Sequence, residues 1–278
     1  MNGHILITGT STGIGHATAL HFARSNWNVS ATMRNMADAD PVLVDAGNVA
    51  VGTLDITNPA SIAKAVADAE ARFGTIDVVV NNAAYGQYGF FEAIPDDELR
   101  ASFDTNLFGT TNVMRAVLPK MRQRRGGTIL NVSSCGAFFG LPTSGVYVAT
   151  KWALEGLCES MWHELAAVGV KLKVLEPAGV DTPFLPKAAE RSCGTGGIAE
   201  YQPYFEAFQQ AMTADHWALE SAETIAERIF AAVTDGTERF RYFAGPPLQW
   251  LVDAKRQMSD SEYEKFMRER FLDARSIA

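Results

Sequence analysis

Short apolar segments alternate with longer segments of helical periodicity along most of the chain. The first kind is typical of buried strands and the second of amphipathic helices, because the two structures repeat every 2 and about 3.6 residues. Strands are predicted at 4–8, 27–33, 48–54, 76–81, 127–132, 170–176 and 239–243. Helices are predicted at 13–25, 59–73, 96–122, 144–168 and 221–234. This alternation predicts one α/β domain, 1–278, with a parallel sheet covered by helices on both faces.

Two segments interrupt the alternation. Residues 185–220 mix Pro, Gly and aromatic residues, with three glycines at Gly194, Gly196 and Gly197. Two interpretations remain open for this lid region: a helix packed on the body of the domain, or a mobile lid over a substrate. Residues 246–278 form a C-terminal extension with helical periodicity, which we expect to pack on the domain or to contact another subunit.

Charge and composition narrow the classes of function. The 278 residues are 47% hydrophobic, which suits one large domain. The net charge of −8 and the absence of a basic cluster argue against a nucleic-acid partner. No apolar stretch reaches the roughly 20 residues of a membrane span. Because residues 1–10 enter a strand directly, we predict no signal peptide and a cytoplasmic location.

Cysteine and histidine usage argues against a metal site. Cys135, Cys158 and Cys193 are scattered and lack C-x-x-C spacing, which is typical of a reducing compartment. The five histidines form no pair with the spacing of zinc ligands. The sequence therefore predicts no bound metal.

Tyr147 and Lys151 form a Tyr-x-x-x-Lys pattern in a predicted helix. Four residues are about one helical turn, so the phenol and the ammonium share a face. A nearby cation is expected to lower the pKa of the Tyr147 phenol toward the range useful for proton transfer.

A glycine-rich turn follows the first predicted strand. Gly9, Gly13 and Gly15 lie between an apolar strand and an Ala-rich helix. Strand, glycine turn and helix together are typical of a dinucleotide site, where the pyrophosphate meets the helix N-terminus. The spacing here is Gly-x-x-x-Gly-x-Gly rather than Gly-x-Gly-x-x-Gly.

With these motifs the sequence resembles the short-chain dehydrogenase/reductase family, in its single-domain branch close to hydroxysteroid and retinol dehydrogenases. The matching features are the run Thr8–Gly15, the run Asn81-Asn82-Ala83-Ala84, Asn106 in DTNLFG, Ser134 thirteen residues before Tyr147, and the loop Pro177–Thr182. The resemblance implies a doubly wound, Rossmann-type sheet of seven parallel strands. Ala84 and Ala178 depart from the family pattern, which places Gly at those points.

The resemblance also implies a chemistry: hydride transfer between a nicotinamide ring and a carbonyl or alcohol carbon. Tyr147 would act as the general acid or base, and Lys151 would lower its pKa and bind the ribose. Ser134 would hold the substrate oxygen, and Asn106 would help to hold a water that relays protons. Two alternatives remain open: an NAD-dependent alcohol dehydrogenase, and a redox sensor that binds the dinucleotide without turnover.

The end of the second strand indicates which dinucleotide binds. Met33 stands where NAD enzymes commonly carry an acid, and Arg34 follows. A guanidinium suits a 2′-phosphate, so NADP(H) is preferred and NAD(H) is possible. The residues expected around the cofactor are Gly9, Ser11, Thr12, Gly13, Ile14, Gly15, Arg34, Asp55, Ile56, Asn82, Ala83, Ala84, Tyr147, Lys151, Pro177, Gly179, Val180 and Thr182.

Aromatic and apolar residues indicate the class of substrate and the oligomeric state. The expected substrate is a bulky apolar ketone, aldehyde or alcohol, because residues 184–217 are rich in aromatic and apolar side chains. Four further phenylalanines are expected near the cleft, namely Phe90, Phe91, Phe138 and Phe139. The helix with Tyr147 also carries apolar residues that favour a homodimer or homotetramer, namely Trp152, Leu157, Met161 and Trp162.

Overall fold

A seven-stranded parallel sheet forms the centre of the computed structural model, which describes residues 2–212, 219–245 and 248–271. The strands of this part of the chain are β1 (His4–Thr8), β2 (Asn28–Met33), β3 (Val49–Thr53), β4 (Val78–Asn81), β5 (Thr128–Val132), β6 (Lys171–Pro177), β7 (Val180–Asp181), β8 (Glu220–Ser221) and β9 (Arg241–Ala244). The sheet order is β3-β2-β1-β4-β5-β6-β9, and β7 pairs with β8 apart from it. The order switches direction between β1 and β4, which leaves a crevice at their carboxyl ends.

Helices cover both faces of the sheet. In the described ranges they are α1 (Gly13–Arg24), α2 (Pro41–Val44), α3 (Pro59–Phe73), α4 (Asp96–Phe103), α5 (Thr110–Gln123), α6 (Gly145–Ala167), α7 (Phe184–Glu190), α8 (Gln202–Met212), α9 (Ala222–Thr234), α10 (Gln249–Gln257) and α11 (Asp260–Phe271). The side chains of Asp40 and Asn58 cap α2 and α3, whose first residues are prolines. No helix among these is both long and apolar enough to cross a membrane.

The predicted doubly wound parallel sheet is confirmed, and each predicted strand lies within two residues of its predicted bounds. The predicted helix 96–122 needs one correction, because a π-helical turn, Asp104–Gly109, separates α4 from α5. Asn106 lies in this turn and directs its side chain to the backbone of Tyr85. We attribute the wider turn to these hydrogen bonds between Asn106 and Tyr85, because a π-turn places a side chain where a regular helix would not.

Alternate residues of β1 enter separate cores on the two faces of the sheet. Ile5 and Ile7 pack in the core that contains Phe22 of α1 and Ile225 of α9. Leu6 packs in the core formed with α3, α5 and α6. A sheet buried on both faces favours strands with apolar centres, as in Ile5, Leu6 and Ile7 of β1.

A third core joins the lid region to the C-terminal extension. Its buried members are Cys135, Phe139, Phe208, Leu248, Leu251, Val252 and Phe271. The rings of Phe208 on α8 and Phe271 on α11 lie 6.1 Å apart, so the extension supports the lid region directly. Parts of both regions lie outside the described residues, namely 213–218, 246–247 and 272–278.

Candidate active site

Three of the residues predicted to carry the chemistry lie beside the carboxyl end of β5. Ser134 follows β5 and begins a short 3-10 turn, where its Oγ accepts a hydrogen bond from Gly136 N at 3.1 Å. Tyr147 and Lys151 lie one turn apart at the start of α6. A Cβ placed on Gly136 would lie 3.5 Å from Ser134 Oγ and 4.0 Å from Tyr147 Cε1. Ser134 and Tyr147 therefore border the same small space.

Aromatic rings enclose Tyr147 on two sides. The ring of Tyr88 lies 5.9 Å away in an edge-on arrangement, and that of Phe184 lies 5.7 Å away. Burial raises the pKa of the Tyr147 phenol, while hydrogen bonding by Ser134 acts in the opposite direction. Because burial is the larger effect, the neutral phenol is the stable form at neutral pH.

Lys151 is buried and faces the sheet. Its Nζ donates a hydrogen bond to Val132 O at 3.0 Å and lies 5.8 Å from the centre of the Tyr147 ring. Burial lowers the pKa of Lys151 to about 8, so the ammonium still predominates at pH 7. The pKa of Tyr147 is therefore raised overall rather than lowered, because burial is the largest effect on it. The stabilisation of the phenolate by Lys151 stays a prediction.

Asn106 is buried and ties the π-turn to the loop after β4. Its Oδ1 accepts a hydrogen bond from Tyr85 N at 3.1 Å, and its Nδ2 donates to Tyr85 O at 2.9 Å. Nδ2 also lies 3.1 Å from Thr150 Oγ1 on α6. The side-chain amide thus holds the loop in place, and the role in holding a relay water stays a prediction.

The glycine turn has the shape of a phosphate cradle. Gly9 and Gly13 have φ values of 73° and 60°, which favour glycine. A Cβ on Gly15 would overlap Gly9 O and Asn82 Nδ2. Thr12 precedes α1, but its side chain caps no N–H group of the first turn. These N–H groups point outward from a helix N-terminus and suit an anion.

Asn82 ties the glycine turn to the end of β4. Its Nδ2 donates to Thr8 O and Gly9 O, both at 3.0 Å. Thr8 Oγ1 accepts hydrogen bonds from Asn82 N at 3.0 Å and from Ala83 N at 3.1 Å. Ala84 follows with φ outside the left-handed region, so its methyl group brings no backbone strain.

The loop after Pro177 passes close to the glycine turn. A Cβ placed on Gly13 would lie 3.1 Å from Thr182 Cβ, so the two segments are in near contact. Val180 is buried and begins β7, and Gly179 directly precedes it. The pairing of β7 with β8 holds this loop.

The predicted contacts at the adenosine end follow β2 and β3. Met33 is buried, whereas Arg34 is exposed and has no ion-pair partner in the described ranges. The Asp55 carboxylate accepts hydrogen bonds from Thr57 N at 2.9 Å and from Thr57 Oγ1 at 2.7 Å. Ile56 is buried beside it.

These residues fit a dinucleotide. The predicted contacts lie in loops at the carboxyl edge of the sheet, at the end of β6 and the start of β7, or in the first two turns of α1 and α6. Ser11 and Ile14 belong to the glycine turn and to the first turn of α1, respectively. The cradle, the N-terminus of α1 without a side-chain cap, and the exposed Arg34 guanidinium, which has no ion-pair partner among the described residues, offer donors for phosphate groups.

Phe90 is the centre of an aromatic cluster next to the lid region. Its ring stacks on Tyr201 at 4.3 Å, and the rings of Tyr204 and Phe205 each lie 6.0 Å away. The backbone joins the same segments, since Phe90 N donates to Gly194 O at 2.9 Å. The loop after β4 and the lid region therefore form one apolar unit.

Two of the four phenylalanines expected near the cleft do not form a pocket wall. Phe91 is 74% exposed, and Phe139 is buried in the third core. Phe138 packs at the edge of that core, with the Arg256 guanidinium over its ring. Apolar character alone does not separate a pocket wall from a core residue or an exposed one.

Tyr85 and Tyr88 were missed by the sequence argument. Tyr85 supplies the backbone that Asn106 holds, and Tyr88 packs on Tyr147. Their position in the sequence could have identified them. Both follow the Asn-Asn-Ala-Ala run after the carboxyl end of a strand, where ligands of such sheets bind.

Known proteins are similar to this chain in sequence and in fold. The sequence model of the family described as short chain dehydrogenase matches residues 3–192. An uncharacterized oxidoreductase of Schizosaccharomyces pombe is 35% identical over 212 residues, or 76% of this chain and 88% of the relative. The 17-beta-hydroxysteroid dehydrogenase type 1 of Mus musculus is 32% identical over 259 residues, or 86% of this chain and 73% of the relative.

A solved structure agrees with the sequence comparisons. The crystal structure of a short-chain dehydrogenase from Streptomyces avermitilis superposes with a TM-score of 0.78 at 29% identity, covering 96% of this chain and 97% of that one. The family inferred from the glycine turn and the Tyr-x-x-x-Lys pattern is therefore confirmed. This chain belongs to the short-chain dehydrogenase family and is an NAD(P)-dependent oxidoreductase.

Proposed function

We propose that this protein is an NADPH-dependent reductase of bulky apolar ketones or aldehydes, with Tyr147 as the proton donor. The observation that carries the proposal is the Tyr147 phenol, enclosed by aromatic rings and bordering the same space as the Ser134 hydroxyl, at the sheet edge that also carries the glycine turn. Burial raises the pKa of this phenol, which favours its protonated form. A phenol that keeps its proton at neutral pH suits reduction, in which the substrate oxygen gains a proton.

In this proposal, each side chain of the site has a separate role in the reduction. Ser134 donates a hydrogen bond to that oxygen, and Tyr147 gives it a proton as negative charge develops. The Lys151 ammonium lies 5.8 Å from the phenol ring and stabilises the phenolate that remains. Asn106 keeps the loop after β4 in place. When bound, the nicotinamide supplies the hydride.

The dinucleotide would lie along the carboxyl edge of the sheet. The glycine turn and the first turn of α1 would hold the pyrophosphate, and Asp55 and Ile56 would border the adenine. Lys151 would bind the ribose next to the nicotinamide, and the loop from Pro177 to Thr182 would hold the carboxamide. Arg34 would bind the 2′-phosphate.

Replacing Arg34 by Ala should weaken NADPH binding by roughly 1.5–3 kcal/mol, the range for hydrogen bonds to charged groups. Binding of NADH should change little, because it lacks the 2′-phosphate. Titration calorimetry with both cofactors measures the difference. Arg24→Ala, at the far end of α1, is the matched control and should leave both affinities unchanged. Equal losses for NADPH and NADH in Arg34→Ala would remove Arg34 from the 2′-phosphate site.

The aromatic surroundings of Tyr147 predict the substrate class. Tyr88, Phe184 and the cluster around Phe90 offer apolar surface, worth roughly 25 cal/mol per Å² buried. We expect kcat/KM for a bulky aryl ketone to exceed that for a hydrophilic sugar by well over tenfold. Tolerance among apolar ketones should be broad, because one methylene discriminates only ~10–200-fold. A preference for the sugar would contradict the apolar pocket.

We also propose that the protein is a homodimer or homotetramer. Trp152 on α6 is 47% exposed and Phe108 in the adjoining π-turn is 53% exposed. Met161 and Trp162, expected on the same surface, pack instead against the core. Light scattering at micromolar concentration should give a mass at least twice the 30.2 kDa of the chain. A mass of one chain would contradict the assembly.

A further inference from the structure

A buried pair of acids lies behind Lys151 and has no part in the chemistry proposed so far. Glu155 is one helical turn beyond Lys151 on α6 and is 6% exposed. Glu176, near the end of β6, is 1% exposed. Arg241 on β9 joins them, since its Nε lies 3.3 Å from Glu155 Oε2 and 3.3 Å from Glu176 Oε1. The two carboxyl groups are therefore neighbours.

Among the ion pairs of the described residues, Arg241 alone joins three carboxyl groups here. The Nη2 of Arg241 also lies 2.7 Å from Glu159 Oε2 at the surface. Two buried carboxylates that share one guanidinium with a third acid repel each other, so one of them must carry a proton.

The hydrogen bond of Arg241 indicates which acid is neutral. Its Nε donates to Glu155 Oε2 at 3.3 Å, which favours the ionised form of Glu155. Glu155 Oε1 and both oxygens of Glu176 are buried and have no hydrogen-bond partner among the described side chains and backbone groups when both acids are ionised. A proton on Glu176, donated to Glu155, supplies the missing hydrogen bond. Burial and the Glu155 charge raise the pKa of Glu176 to about 8, whereas Arg241 acts in the opposite direction. The Arg241 hydrogen bond to Glu155 and the raised pKa of Glu176 together assign the proton to Glu176.

Glu155 and Lys151 lie four residues apart on α6, about one helical turn, and both side chains are buried, so they are neighbours on one helix face. Burial lowers the pKa of Lys151 to about 8, and among the charged groups Glu155 is the main one that raises it. The other titratable or charged groups facing the pair come from several elements, namely Cys158 and Glu159 on α6, Cys135 after β5, Arg241 on β9 and Arg256 on α10. Both thiols are neutral, because burial raises the pKa of each to about 12.

We propose that Glu155 is a positioning residue that keeps Lys151 in its ammonium form during the reaction, and that Glu176 stays protonated and donates a hydrogen bond to Glu155. This inference rests on the proposed function for the role of Lys151, but the placement of the proton does not. Glu155 is buried one helical turn beyond Lys151, so its proposed effect on the reaction passes through Lys151.

Two matched substitutions test the link to Lys151. Glu155→Gln should move the alkaline limb of the pH profile of kcat/KM toward lower pH by about one unit, because the counter-charge of Lys151 is lost. Glu176→Gln should leave that limb in place, because an amide replaces a neutral carboxyl group and still donates a hydrogen bond. An unmoved limb in Glu155→Gln, or a limb that moves only in Glu176→Gln, would overturn the assignment.

Infrared spectroscopy tests the placement of the proton without any turnover. The difference spectrum of wild type minus Glu176→Gln at pH 7 should contain the C=O stretch of a protonated carboxyl group. In the unmodified protein, this band should decrease as the pH rises through about 8. Absence of the band from both measurements would overturn the inference. If no carbonyl compound is reduced, the proposed function fails, and the infrared result still decides the protonation of Glu176.

Discussion

Tyr147→Phe should lose carbonyl reduction by at least the ~10²–10⁴-fold typical of a general acid, while dinucleotide binding is retained. The substitution removes the proton-bearing oxygen and keeps the ring that packs between Tyr88 and Phe184. Single-turnover kinetics with saturating NADPH measures the chemical step, and fluorescence titration of NADPH measures binding.

Tyr263→Phe is the matched control for this substitution. The Tyr263 hydroxyl on α11 is buried and has no hydrogen-bond partner in the described ranges, so its loss should leave turnover near that of wild type. Turnover of Tyr147→Phe within a few-fold of wild type would exclude Tyr147 as the proton donor.

Gly15→Ala should abolish tight dinucleotide binding and lower the free energy of unfolding by about 3 kcal/mol, the upper end of the range for overpacking. The new methyl group would overlap the Gly9 carbonyl oxygen and the Asn82 amide nitrogen. Both atoms belong to the tie between β1 and β4, so α1 must shift and distort the cradle. Denaturant unfolding and NADPH titration together measure the two losses.

Gly47→Ala separates this clash from a general effect of replacing glycine. Gly47 is exposed in the turn before β3, has no positive φ, and has open space where the new methyl group would lie. Its replacement should raise stability slightly, by about 0.4–1 kcal/mol, through the unfolded chain. Equal effects of the two substitutions would show that Gly15 has no special role in the cradle.

The period of hydrophobic residues was sufficient to predict the sheet. Strands buried on both faces contain short apolar runs, such as Ile5–Ile7 of β1 and Val78–Val80 of β4, and amphipathic helices separate them. The order of the strands could not follow from periodicity, because it depends on which helices cross over which edge. The family resemblance supplied the number of strands and their doubly wound arrangement, and the order itself comes from the structure.

The catalytic motif was recognisable because it is local, whereas its electrostatics are not. Tyr147 and Lys151 are adjacent on one helix face at any site with this spacing. The direction taken by Lys151 depends on Val132, which is distant in sequence and offers its carbonyl oxygen at 3.0 Å. The raised pKa of Tyr147 likewise depends on Tyr88 and Phe184 burying the phenol, and neither residue stands near Tyr147 in the sequence.

The contact between Glu155 and Glu176 could not be predicted from the sequence either. Glu155 reads as an ordinary helix-surface acid in the sequence, and Glu176 as an isolated acid in an apolar strand. Only the sheet order, which sets β9 beside β6, brings Arg241 to both. Interactions that join distant elements are the part of the site that periodicity and spacing do not reveal.

The central claim is that this site transfers hydride from NADPH to an apolar carbonyl compound with the proton coming from Tyr147. Its most direct test uses NADPH deuterated at the reactive C4 position with a bulky aryl ketone, followed by mass spectrometry of the product. We predict an alcohol with one deuterium on the former carbonyl carbon, formed by wild type and at least ~10²-fold more slowly by Tyr147→Phe. An alcohol without deuterium, or NADPH bound with no reduction of any apolar ketone or aldehyde, would contradict the account.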